Sequence, residues 1–198
     1  MFNMDSAKKK SINQPGERKK PKKITVDYLH NSGLYYLQRF AASRQQFRAV
    51  MLRKVKKSCM QHKEQNYEDC AALVEETIKK FERAGLLNDE LYTQGVVASL
   101  RRQGKSKKVI MMKMKMRGLP DGLVLEKLEN HDSEKTENGD LISALIFLRK
   151  KKSGPFSAGK DIPAEKTLAA LARAGFSYDL SQKVLKMDRA EAENILNA

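Results

Sequence analysis

From Val26 onward the apolar residues recur at helical spacing and few segments alternate with the period of a strand, so helix is expected almost throughout. A first helix is predicted over residues 27–42, with Leu34, Leu37 and Phe40 or Ala41 on its inner face. Ser43-Arg44-Gln45-Gln46 then has the capping-box pattern, in which the hydroxyl accepts from a first-turn amide while Gln46 reaches back. The helix it opens carries Phe47, Val50, Met51 and Val55 as a buried stripe, with Arg44, Arg48, Arg53 and Lys54 turned away from it. A third helix over 67–84 places Leu73 or Val74, Ile78 and Phe81 inward. Gly85 closes it as a left-handed residue, with Leu86 as the apolar contact that follows.

The arrangement then returns. Asn88-Asp89 start a helix with Tyr92, Val96 and Leu100 inside, and Gly104-Lys105-Ser106 break it. The next helix, over 107–117, is built on Ile110, Met111 and Met114, is stopped by Gly118-Leu119-Pro120, and another begins at Leu123. Polar residues from Asn130 to Gly139 read as a linker. The last stretch starts at Asp140 with Leu141, Leu145 and Leu148 inward and is interrupted at Ser153-Gly154-Pro155 and by a loop reaching Pro163. It resumes over 166–174, is closed by Gly175-Phe176, and ends in helices over 179–187 and 190–196.

A weak internal repeat underlies this pattern. Leu37-Gln38-Arg39-Phe40, followed by Ser43 and Phe47, reappears 63 positions later as Leu100-Arg101-Arg102-Gln103, followed by Ser106 and Ile110. A third copy opens with Leu148-Arg149-Lys150-Lys151. The expected fold is all-α: a tandem array of three three-helix repeats forming an elongated curved molecule. The repeats are placed at residues 24–86, 87–130 and 140–198, with the linker at 131–139. Residues 1–23 are too poor in apolar side chains to offset their ordering entropy and read as a disordered basic tail.

Charge turns this architecture towards binding. The 198 residues hold 39 Lys and Arg against 24 Asp and Glu, a formal net charge of +15. The charges fall in blocks: no acid occurs between Tyr28 and Lys63, nor from Arg101 to Arg117, whereas Glu68, Asp69, Glu75, Glu76 and Glu82 make the third helix acidic. If the repeats stack in register, cations gather on one face and acids on another, a surface suited to a long polyanion. Contacts to phosphate there would be sequence-independent and weakened by salt. Net charge alone does not choose between nucleic acid, an anionic membrane and an acidic protein. The basic helices lack the bulky aromatic face of a membrane-surface helix, and no apolar run approaches the ~18–20 residues of a span. With no tryptophan and few aromatic residues, a base-stacking platform is poorly supplied.

Catalytic signals are weak. There is no GxxxxGK[ST] loop, and the acids are spread along helix faces rather than clustered as a metal-dependent nuclease requires. Cys59 and Cys70 are in no CxxC spacing. Cys59 and His62 stand three apart but have only scattered companions for a zinc site, so reduced thiols in a cytoplasmic protein are expected. No catalytic residue, metal or cofactor is assigned.

Gly85-Leu86-Leu87-Asn88-Asp89, then Tyr92 and Arg101-Arg102-Gln103-Gly104-Lys105-Ser106, resembles the centre of RecX, the bacterial regulator of the RecA recombinase. Arg149-Lys150-Lys151-Lys152-Ser153-Gly154-Pro155-Phe156 and residues 168–176 look like its C-terminal unit, and the likeness extends over roughly 26–187. Two departures stand out: the aspartate pair after the glycine is Asn88-Asp89, and an Arg-Phe pair is Leu91-Tyr92, which keeps the ring and loses the cation. A monomer is expected, and the resemblance implies that it binds RecA–single-stranded DNA filaments and touches single- and double-stranded DNA through phosphates. It implies suppression of strand exchange and ATP hydrolysis, or filament disassembly, within DNA repair, recombination and the SOS response. The matching basic positions are Arg39, Arg44, Arg48, Arg101, Arg102, Lys105, Lys107, Lys108, Arg149, Lys150 and Lys151. The alternative from composition alone is a sequence-nonspecific nucleic-acid-binding protein, which leaves the acidic third helices unexplained.

Overall fold

The computed structural model describes residues 20–134, 138–157 and 162–197. Within them lie ten α-helices and one short 3-10 turn, with no strand among the described residues. The helices are α1 (Val26–Leu37), α2 (Arg44–Gln61), α3 (Tyr67–Arg83), α4 (Asp89–Arg102), α5 (Lys107–Lys115), α6 (Asp121–Ser133), α7 (Gly139–Lys151), α8 (Ala164–Arg173), α9 (Tyr178–Lys186) and α10 (Arg189–Asn197). The 3-10 turn, Gly154–Phe156, follows α7.

Buried apolar residues fall into three clusters. Phe47, Met51 and Val55 of α2 meet Val74, Ile78 and Phe81 of α3 and Leu29 of α1. Val97 and Leu100 of α4 meet Ile110 and Met114 of α5 and Val124 and Leu128 of α6. The third cluster joins Leu141, Leu145 and Leu148 of α7 to Leu171, Val184 and Ala192 of α8, α9 and α10, with Phe156 of the 3-10 turn filling the gap. The last group therefore has four helices, α10 packing on α7. Main helix packings stay within these groups, and α4 against α7 crosses from the second to the third.

Local chemistry explains most boundaries. Ser43 makes the full capping box with Gln46. Asn66, Asn88 and Ser106 each accept a first-turn amide at the starts of α3, α4 and α5. Helix α1 stops at Leu37, five residues short of the sequence expectation. After Gly85 the apolar contact is Leu87, which is buried, while Leu86 is left 46% exposed. In α4 the buried residues are Thr93, Val97, Leu100 and Arg101, and not Tyr92 and Val96. The Thr93 hydroxyl donates to the Asp89 carbonyl at 2.6 Å, which lets a polar residue enter the core. Tyr92 instead sends its hydroxyl across to Gln46 at 2.8 Å.

The expected linker and tail are described in part, positions 135–137 of the linker lying outside the described residues. The stretch from Asn130 is helical through Ser133, because Asp132 is held by Arg101. The expected tail lies outside the described residues up to position 19. Lys20–Lys23 are described, and this end is tied down: the Ser58 hydroxyl donates to the Lys22 carbonyl at 2.8 Å, and Lys23 pairs with Glu64 at 2.6 Å.

The groups are joined by the same device twice. Ser43 Oγ donates to the Arg117 carbonyl at 2.6 Å, and Ser106 Oγ donates to the Ala174 carbonyl at 2.7 Å. Both serines are fully buried. The next amide in each case donates to an aspartate that opens the following group: Arg44 N–H to Asp89 at 2.8 Å, and Lys107 N–H to Asp140 at 2.7 Å. The helix ends that receive the serines close on Gly118 and Gly175, at φ 75° and 83°. A Cβ at Gly118 would overlap the Gln45 side chain, and one at Gly175 would lie 2.7 Å from Ser106 Oγ. Glycine is thus required twice over at each joint, by backbone sign and by space.

Ser106→Ala removes a cap and an inter-group hydrogen bond together. A loss of about 2 kcal/mol is expected, against about 0.5–1 kcal/mol for Ser177→Ala at an exposed cap. Urea unfolding of the two variants measures this, and equal losses would show that the inter-group bond contributes nothing.

Candidate nucleic-acid interface

The structure separates the eleven cations expected on one basic surface. Arg101 is not on the surface at all, being 5% exposed. Its guanidinium donates to Asp132 at 2.5 and 3.1 Å, to Asp140 at 2.6 Å, to Ser143 Oγ at 3.2 Å and to the Lys105 carbonyl at 3.2 Å. The sequence places Arg101 beside Arg102 on a cationic run, but the two carboxylates arrive from α6 and α7, far along the chain. A planar fork of donors suits two acids at once, so Arg101 is a structural tie between the second and third groups rather than a docking residue.

Arg44 and Arg48 are likewise engaged. Arg48 Nε pairs with Glu75, and Arg44 pairs with Glu82 at 3.3 Å and Glu75 at 4.0 Å. The acids of α3 therefore face the cations of α2 instead of lining a separate side. All four side chains are between a third and half exposed, so the pairs steer local geometry more than they stabilise. Arg39, in the turn after α1, lies over the Tyr35 and Phe40 rings and donates to Tyr35 Oη at 2.6 Å.

What remains is gathered at the joint between the second and third groups. Arg102, Lys107, Lys108, Arg149, Lys150 and Lys151 are exposed and Lys105 half-buried, and no ion pair involves them among the described residues. Lys150 Nζ donates to the Arg102 carbonyl at 3.3 Å, which brings α7 and the end of α4 together. Arg102 and Arg149 border one cleft with Ile142 and Ile146. Lys105 and Lys151 border another, of about 330 Å³, with Phe147 on its wall and Lys151 Nζ 5.7 Å from that ring.

Arg173 also lines this second cleft and is exposed. Sequence reading passed over it because it stands alone in Ala-rich α8. The available signal was its place two residues before Gly175, which matches Met116 before Gly118.

The remaining chemistry is sparse. Among the described residues no three His, Cys, Asp or Glu side chains form a group able to hold a metal. No described helix is long and apolar enough to cross a membrane. Burial pushes the Cys70 thiol above its ordinary range, and neighbouring Cys59 adds to the shift, so Cys70 is a poor thiolate. His62 contacts the Pro21 carbonyl at 2.9 Å instead of turning to Cys59.

Fold and joint together define a helical scaffold that presents cations at a fixed place between two of its groups. No protein-family model matches the chain. It is 39% identical over 175 residues to the regulatory protein RecX of Myxococcus xanthus, covering 87% of this chain and 91% of that one. It is 31% identical over 186 residues to the regulatory protein RecX of Agrobacterium fabrum, covering 89% and 92%. The crystal structure of RecX from Lactobacillus salivarius shares the fold, with a TM-score of 0.56 at 20% identity over 86% of this chain and 97% of that one. The chain belongs to the family of the regulatory protein RecX.

Arg101→Ala strands two carboxylates that are each about a quarter exposed, and a loss of roughly 3 kcal/mol is expected, the lower end for a broken buried pair. Arg102→Ala should leave stability within about 0.5 kcal/mol. Denaturant midpoints decide it; similar losses would contradict the buried-tie assignment.

Proposed function

We propose that the chain regulates a RecA-type recombinase by docking on the RecA–single-stranded DNA filament. The joint between the second and third groups faces the phosphates, and the chain suppresses strand exchange and ATP hydrolysis or promotes filament disassembly. Family membership supplies the regulatory role, and the observation that carries the contact is the concentration of unpaired, exposed cations at that joint. On this reading the three helical groups are repeat units. Arg102, Lys105, Lys107, Lys108, Arg149, Lys150 and Lys151 form the interface, and Arg39 is a separate contact. Arg44, Arg48 and Arg101 support the fold.

Phosphate contacts at a joint of fixed geometry explain attraction to DNA, and acids exposed on α3 and α6 explain why bare duplex is a poorer fit than a mixed surface. Each cation that neutralises a phosphate releases counterions, so attachment weakens as salt rises.

Retention on immobilised recombinase–DNA filament is therefore expected to persist at salt concentrations that release the protein from naked single-stranded DNA. A retention series over increasing salt tests this, and identical profiles on the two would overturn filament recognition in favour of general nucleic-acid binding.

A further inference from the structure

The two joints share a frame but not a surface. Matching the two serine contacts pairs Ser106 and Ala174 with Ser43 and Arg117. Lys105 then stands where Ala42 stands, and Arg173 where Met116 stands. Ala42 is buried and Met116 is 81% exposed, so the first joint offers no cation at either position. At the second joint Lys105, Lys151 and Arg173 come from the α4–α5 turn, α7 and α8 to border one cleft, and among the described residues no carboxylate lines it. None of the three makes an ion pair among the described residues. Gly104 lies at its edge, and Val109, Phe147 and Ala170 add apolar surface to its walls.

Three like charges that border one cleft, with no counter-charge on its described lining, repel one another, and an anion seated among them reverses the sign of that interaction. We infer that this cleft is a phosphate notch that seats the phosphodiester backbone of a single nucleic-acid strand, and that Arg173 is one of its ligands. Lys151, lying over Phe147, is held in place by that ring. The inference rests on the nucleic-acid part of the proposed function and adds to it a defined seat and a residue from α8. A cleft beside the first joint, bordered by Leu37, Ala41, Leu86 and Leu91, has no lysine or arginine on its lining.

The test compares Lys105→Ala/Arg173→Ala with Lys56→Ala/Lys57→Ala, which removes the same charge from exposed positions on α2. Both are checked for fold by circular dichroism, and affinity for a labelled oligothymidylate is read across a salt series. The first variant should flatten the plot of log affinity against log salt by about 1.4, roughly 0.7 for each phosphate no longer neutralised, while the second leaves the slope near that of the parent. Equal flattening in both, or none in either, overturns the notch. A parental melting temperature raised by millimolar inorganic phosphate, abolished in the first variant with its strand slope intact, would assign the cleft to a free anion and overturn the strand reading. Inhibition of filament ATP hydrolysis is measured in parallel. Loss of the notch with inhibition retained, or the reverse, separates failure of this site from failure of filament regulation.

Discussion

Two buried hydroxyls hold the described helical groups in register. Each serine ends one turn, caps the helix that follows, and donates a hydrogen bond to a carbonyl in the glycine-closed turn after a helix of the next group. A hydroxyl can do this because it accepts and donates at once. The arrangement converts a local requirement, satisfying the open amides of a helix start, into a long-range one. The carbonyl it reaches, at or just past a helix end, accepts from no backbone amide among the described residues, so one hydroxyl satisfies groups at two helix ends. The aspartates that accept from Arg44 and Lys107 complete the pattern by placing a carboxylate at two adjacent helix starts, where the backbone dipoles favour it.

Arg101 makes the second joint different in kind. Its position in the first joint is taken by Gln38, which is exposed, so only the second joint is cross-braced by a guanidinium between two acids. That brace explains why neighbouring Arg102 and Lys105 are displayed in a constant relation to Arg149, Lys150 and Lys151. Burying one arginine fixes the stage on which exposed ones act. An arginine run in a sequence is therefore a mixture of roles, decided by which acids the fold delivers to it.

Helix positions, caps and glycine stops were legible because they are set within a few residues. Ser43, Asn88 and Ser106 announce helix starts, and Gly85, Gly118 and Gly175 announce ends. Family membership was legible from the same turns. The charge geometry was not, since the partners of Arg101 and of Arg44 are thirty or more positions away and nothing in local spacing points to them. The buried register of α4 was misread by one residue because Thr93 looks polar and Tyr92 looks apolar. Their hydrogen bonds, one backward to Asp89 and one across to Gln46, decide otherwise. Arg173 was missed for the opposite reason: nothing near it in sequence is charged, and only the joint gives it neighbours.

The same joint geometry carrying alanine, leucine and methionine in one place and lysine and arginine in the other has a physical consequence. At the first joint Phe40, Leu86, Leu91 and Met116 leave apolar surface in water, which costs free energy unless something covers it. At the second, unpaired cations lower the cost of approaching an anion. A bare polyphosphate would reward only the second, and a purely protein surface would reward chiefly the first. A filament in which a nucleic-acid strand is wrapped by protein offers both kinds of surface along one axis. On the proposed function, a chain that holds two unlike joints in fixed register would meet them together, and the second contact would be made without repeating the entropy of association.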